Sequence, residues 1–304
     1  MTATTPEAGC PDRAQVAPTP HQDDWRQRKH RRYVLSQTAA HAVLIVMGFF
    51  FSIPFIWLVS SSLKPDTQLF KLPPEWIPRP FMWSNYPEAL TYIPYFNYLK
   101  NTLIICAFNV IASVLSCTFV AYGFSRIKWP GRDAVFMVLI ATMMLPYAVT
   151  MIPQFLIFRR LGWINTYLPL TVPALTATPF FVFLLRQFYL TIPQELSDAA
   201  RIDGCSEFGI YGRIIMPLSK PAMATVGLFT FLWTWNDFLG PLIYLSKKEK
   251  YTIALGLYGF LSQRRTEWAL LMAAATVTVL PVILVFFFTQ RTFIQGITLT
   301  GLKG

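Results

Sequence analysis

Six stretches of this 304-residue chain, at 39–63, 98–124, 134–158, 168–187, 221–245 and 268–290, are each about as long as the ~20 apolar residues needed to cross the hydrocarbon of a bilayer. Nothing else in the sequence constrains the fold as strongly. Inside lipid no water meets the backbone N–H and C=O groups, so each stretch must satisfy its own polar groups as a helix. The fold class expected is therefore an all-α integral membrane protein with six transmembrane helices. Composition agrees: 54% hydrophobic residues, 13% charged residues and 26 Phe are too apolar for a soluble domain of this length. Pro54, Pro146, Pro153, Pro173, Pro179 and Pro281 fall inside the stretches. Membrane helices tolerate proline where neighbours satisfy the freed carbonyls, so these six predict kinks rather than breaks in the count.

A formal net charge of +11 could suggest nucleic acid, but the cations lie in short patches beside apolar runs, which fits anionic lipid better. Residues 1–35 read as a disordered, basic cytoplasmic tail ending in the cluster Trp25 to Tyr33, and residues 36–304 as the transmembrane domain. A removable signal is not expected, because the first apolar run exceeds the usual core of ~7 to 15 residues. An even number of spans puts both termini on one side. With the termini inside, 15 Lys and Arg lie within and 11 outside, a bias that rests mainly on the tail beside the first stretch and on the short loop from Arg126 to Arg132. Residues 64–97, 159–167 and 246–267 would then face outward, with the aromatics of the first as interfacial anchors. Cys10, Cys106, Cys117 and Cys205 form no metal-binding spacing and read as small apolar fillers.

Between the fourth and fifth stretches, residues 188–220 form the largest cytoplasmic-looking connection and carry Asp198-Ala199-Ala200-Arg201-Ile202-Asp203-Gly204, closed by Ile214-Ile215-Met216-Pro217. The segment from Thr191 to Gly204 reads as one short helix: Pro193 suits the first turn, Glu195 meets the positive end of the dipole, and Gly204 suits a left-handed stop. A second short helix follows from Ser206 to near Pro217. Ala199 and Ala200 allow another surface close to the backbone, while Glu195, Asp198, Arg201 and Asp203 offer charge-assisted contacts around it. An amphipathic helix lying on lipid is the competing reading, but basic residues should dominate the polar face of such a helix.

This spacing resembles the signature loop of the permease subunits of bacterial ABC importers, Glu-Ala-Ala, three residues, Gly, nine residues, Ile, one residue, Leu-Pro. Asp198 stands for Glu and Met216 for Leu. In that family the helix is the cytoplasmic coupling helix and sits in a groove of the ATP-binding subunit. The resemblance implies the same role for Asp198, Ala199, Ala200, Gly204 and Pro217, and it implies the type I importer permease fold. The end of the chain, Gln290 to Gly304, looks like that of the second membrane subunit of the maltose importer and its carbohydrate-uptake relatives. The resemblance implies a second permease chain, two ATP-binding subunits holding ATP and Mg, and an extracytoplasmic solute-binding protein as partners, in a bacterial inner membrane. No G-x-x-x-x-G-K-[ST] phosphate loop occurs, so the chain is not expected to be an enzyme or to bind a cofactor itself.

The fifth stretch contains Trp233-Thr234-Trp235-Asn236-Asp237-Phe238-Leu239-Gly240-Pro241. A carboxylate in the hydrocarbon region is costly, so Asp237 should face the bundle interior, a partner or water. Trp233, Asn236, Asp237 and Gly240 are expected on one face of a continuous helix. Amide and carboxylate groups bond hydroxyls, and a Trp face packs on a sugar ring, so this face suits a carbohydrate path; interhelical hydrogen bonding is the plainer alternative. Asn109, Ser113, Ser116 and Gln154 are further polar candidates on the second and third spans. A secondary transporter using Asp237 as its ion carrier remains the alternative function.

Overall fold

The computed structural model describes residues 20–261 and 266–300, with side chains described for 29–261 and 266–290. The chain divides into two units, Met1–Trp57 and Leu58–Gly304.

The first unit holds most of helix α1 (Pro20–Ser62). This helix takes in residues 20–35 of the segment read as a disordered tail, because good helix formers such as Gln27, Arg28 and Lys29 extend a helix cheaply once its apolar part has formed. Residues 1–19 of that tail, Cys10 among them, lie outside the described residues. Val43, Leu44, Ile45, Phe49, Phe50 and Phe51 are all exposed, and a helix apolar on every side belongs in lipid or against other membrane helices.

In the second unit, residues 63–84 fold back before helix α2 (Asn85–Tyr92). The buried Asn85 fixes this return, its Nδ2 donating to the carbonyls of Ser62 and Lys64 at 2.9 and 3.0 Å. Helix α3 (Tyr95–Ser125) then runs unbroken for 31 residues, about 46 Å at 1.5 Å per residue.

The third stretch is not one helix. Helix α4 (Arg132–Ala141) passes through a 3-10 turn into helix α5 (Tyr147–Arg160), and the two parts are bent by 97°. Pro146 causes the break: the residue before a proline avoids the helical region, and Leu145 is extended at ψ 114°.

The fourth stretch starts as helix α6 (Leu168–Thr171), passes Ala177 at φ +56°, and resumes as helix α7 (Pro179–Thr191), whose first position suits proline. After the polar loop, which holds helix α8 (Glu195–Ile202) and helix α9 (Glu207–Ile210), comes helix α10 (Lys220–Trp235).

The fifth stretch also departs from expectation. Helix α10 ends at Trp235 and helix α11 (Leu239–Tyr244) begins anew, because Pro241 has no N–H to give residue 237 and its ring would strike that carbonyl. Helix α12 (Trp268–Thr300) is the last described element, and residues 301–304 lie outside the described residues. Among the described residues, four helices are long and apolar enough to cross a membrane, and up to six crossings result if each bent pair counts as one. Among the described residues there is no named strand, so the all-α expectation holds.

Helix α3 organises the packing, lying against α7 and α10, while α10 lies against α12. Its first turns enter one apolar cluster with Phe231, Trp235, Phe260 and Leu270, and its last turns enter another with Phe181, Leu185, Tyr189 and Ile210. Gly227 of α10 faces Val110 and Val114 of α3, where an added methyl would stand 3.6 Å from the first, in ordinary contact. Cys106 and Cys117 are buried free thiols, one in each cluster, consistent with their reading as fillers.

Candidate functional site

The polar loop is built as an apolar ridge on a buried footing. Helix α8 starts at Glu195, so Pro193 lies just ahead of it rather than in its first turn. Ser197 and Ala200 are buried, the latter in the cluster with Tyr189 and Ile210, while Leu196 and Ala199 are exposed. The two alanines therefore divide the work, one inward and one outward. Ile202 is 87% exposed and Phe208 74%, a large apolar display on an otherwise polar loop. Gly204 ends the helix at φ +78° in the left-handed region, as its position suggested. Ser206 then caps α9, its hydroxyl accepting from the Gly209 amide at 3.2 Å. Pro217 lies exposed in the short turn before α10.

Several of the charges named from the sequence are engaged with one another. Arg201 donates to Asp198 Oδ1 at 2.7 Å and to Glu207 Oε1 at 2.8 Å, and the Tyr122 hydroxyl of α3 donates to Glu207 Oε2 at 2.6 Å. These bonds, that of Arg201 first, hold the Glu207 carboxyl below the usual carboxylate range, and the Glu207 bond in turn raises the Arg201 guanidinium. Glu195 and Asp203 remain exposed. Beside the loop, Arg126 donates to Gln194 Oε1 at 2.8 Å. In sequence Arg126 is only a basic loop residue; its side-chain partners lie 63 to 68 residues away, and Tyr122 lies 85 residues from Glu207, beyond what local spacing can reveal.

A cavity of about 910 Å³ lies among α3, α5, α6, α10 and α11. Trp233, Asp237 and Gly240 line it, as do Asn109 and Gln154, with Thr102, Tyr147, Thr234 and Tyr244 adding hydroxyls. Asn236 does not line it; its Nδ2 bonds back to the Leu232 carbonyl at 2.8 Å and the residue is exposed. The expected single helix face is thus corrected: the helix stops at Trp235, and the three residues converge through the turn that follows. Asp237 shapes that turn, its Oδ1 accepting from the Gly240 amide at 3.0 Å. A methyl group at Gly240 would stand 2.5 Å from Asp237 Oδ2, so a side chain there would displace the carboxylate.

The Trp233 ring stacks on Phe181 at 4.9 Å between centroids and stays half exposed, leaving aromatic surface on the cavity side. Asn109 donates to the Leu170 carbonyl at 3.0 Å and to Thr234 Oγ1 at 3.2 Å, and Ser116 donates to the Ala174 carbonyl at 3.1 Å. Asn109 therefore both joins helices and faces the cavity. Aromatic surface with hydroxyl, amide and carboxylate groups can pack and hydrogen-bond a polyhydroxylated solute.

Comparison with known proteins places this architecture. The family described as "Binding-protein-dependent transport system inner membrane component" matches residues 113–299, which include the polar loop and the 233–241 turn. The probable ABC transporter permease protein YurM of Bacillus subtilis (strain 168) is 30% identical over 299 residues, covering 96% of this chain and 98% of that protein. The arabinooligosaccharides transport system permease protein AraQ of Halalkalibacterium halodurans is 33% identical, over 86% of this chain and 96% of its own. In fold, the chain resembles the crystal structure of a bacterial ABC transporter that imports the acidic polysaccharide alginate, with a TM-score of 0.74, 22% identity, and coverage of 88% of this chain and 98% of that one. These similarities leave the ion-coupled alternative without support, and the chain belongs to the binding-protein-dependent transport system inner membrane components, the permease subunits of ABC importers.

Proposed function

We propose that this permease passes a sugar, oligosaccharide or related polyol through its 910 Å³ cavity, driven by ATPase subunits that grip the 188–220 loop. The ridge of Leu196, Ala199 and Ile202 on α8 carries this reading. Apolar side chains that are largely exposed on a rigid loop call for a protein surface to cover them. The surrounding Glu195, Asp198 and Asp203 disfavour anionic lipid as the cover, since a lipid-bound helix presents cations. Asp198, Ala199, Ala200, Gly204 and Pro217 keep the spacing of the family's coupling segment, with Glu195, Arg201 and Asp203 around it.

ATP and Mg are held by the partner subunits, and hydrolysis there moves this loop. With the loop in the cytosol, both termini lie inside, and residues 64–97 or 246–267 meet an extracytoplasmic solute-binding protein that delivers the sugar. A second, different permease chain completes the pathway. The chemistry lining the cavity and the naming of AraQ for arabinooligosaccharides support a carbohydrate.

The test is uptake of a labelled oligosaccharide panel into proteoliposomes holding the copurified complex and its binding protein. ATP-dependent uptake that survives collapse of ion gradients supports the reading. Uptake that continues without the ATPase subunits contradicts it.

A further inference from the structure

Helix α3 reaches both the cavity and the polar loop. Thr102, Ile105 and Asn109 line the cavity, and Tyr122, with Arg126 just past the helix end, meets the loop. Arg126 is 5% exposed, so its cation must be compensated locally. The compensation is the end of α7: Nη2 donates to the carbonyls of Tyr189 and Ile192, both at 2.6 Å, and Nη1 donates to Gln194 Oε1 at 2.8 Å and reaches the Pro193 carbonyl at 3.5 Å. A cation suits the negative end of a helix dipole, and only the planar fork of arginine addresses several acceptors at once. Tyr122 makes a second attachment through Glu207, and Thr118 a third through the Tyr211 hydroxyl at 2.8 Å.

The backbone connections of the loop are poorer mechanical links. Helix α7 joins α8 through extended Ile192, and residues 207–218 meet α10 at a 78° bend. Helix α3 between the same two regions is a single unbroken rod.

Resting on the reading of the 188–220 loop as the ATPase contact, we propose that Arg126 and Tyr122 are positioning residues that fasten this loop to α3, so that α3 is the lever carrying the loop's movement to the cavity. Displacement of α8 pulls the Arg126 and Tyr122 attachments together, and the rod transmits it to Asn109 and Thr102. A purely structural role would affect assembly and activity in parallel; a lever role affects the solute moved per ATP.

The experiment uses the reconstituted complex with its ATPase and binding protein, comparing Arg126→Met, Arg126→Lys and Tyr122→Phe. Copurification of the ATPase and its basal hydrolysis should persist. Solute transported per ATP should fall at least about fivefold in Arg126→Met, the lower end of measured coupling between sites. Arg126→Lys and Tyr122→Phe should fall in between. An unchanged ratio in an assembled Arg126→Met complex overturns the inference. If that variant does not accumulate, unchanged ratios in both Arg126→Lys and Tyr122→Phe overturn it equally. A wild-type complex that never copurifies an ATPase refutes the underlying reading instead.

Discussion

The Tyr122 hydroxyl donates to Glu207 Oε2 at 2.6 Å, joining residues 85 positions apart in sequence. The other oxygen of the same carboxylate holds Arg201, which holds Asp198 in α8, so one acid ties the membrane rod to both short helices of the polar loop.

That junction has a defined pH response. The folded Glu207 carboxyl is held below its ordinary value, so its stabilisation is present above the ordinary carboxylate range and is lost as pH falls through the depressed value. Protease sensitivity of the 188–220 loop should therefore stay flat from about pH 8 to about pH 5, where an ordinary glutamate is still mostly ionised, and rise only in stronger acid. Glu207→Gln should make the loop more sensitive already at neutral pH and remove the acid step. A wild-type loop that loosens near neutral pH would assign the response to another group.

Gly204→Val separates backbone geometry from contact. A methyl at Gly204 meets nothing within 4 Å, so the penalty comes from φ +78° alone, about 1–2 kcal/mol and more for a branched side chain. The variant should insert in the membrane at normal levels yet copurify with much less ATPase. Normal coupled uptake in Gly204→Val would show that the sharp turn is dispensable.

Asp237→Asn keeps the oxygen that accepts from the Gly240 amide and removes only the charge. A hydrogen bond to a charged group contributes about 1.5–3 kcal/mol, so half-saturation for the transported sugar should rise about tenfold or more while the complex assembles as before. Unchanged uptake kinetics would make Asp237 a scaffold for the turn.

Gly256 lies in a one-turn helix against α3, where an added methyl would fall inside the van der Waals shell of the Tyr98 ring. Gly256→Ala should destabilise the detergent-solubilised protein by about 1–3 kcal/mol, the usual cost of overpacking. Adding Tyr98→Leu should recover part of the melting temperature, since touching sites are not additive. Additive losses would argue that the two do not compete for one space.

What the sequence revealed and what it hid divide along physical lines. Hydropathy marks where the chain can enter lipid, and the spacing around Asp198 and Gly204 marks the loop, because both signals are local. The 97° bend at Pro146 is legible only as a kink, and the end of α10 at Trp235 departs from the continuous helix expected there, since neighbouring helices decide whether a proline bends a helix or stops it. Asn236 falls off the expected face for that reason: a 3- and 4-residue spacing predicts a face only while the helix continues. The bonds of Arg126 to the end of α7 and of Tyr122 to Glu207 depend on contacts distant in the chain, which spacing does not encode.

The central claim, that a soluble ATPase grips the ridge around Ala199 from the cytosol, is tested most directly by Ala199→Cys in a background with Cys10 and Cys205 replaced by Ser. Treating intact cells with a membrane-impermeant maleimide should leave that thiol unlabelled, and a short bifunctional crosslinker applied to inverted vesicles should join it to the ATPase subunit. Labelling from outside the intact cell, or inverted vesicles with the complex present and no crosslink to an ATPase, would contradict the account.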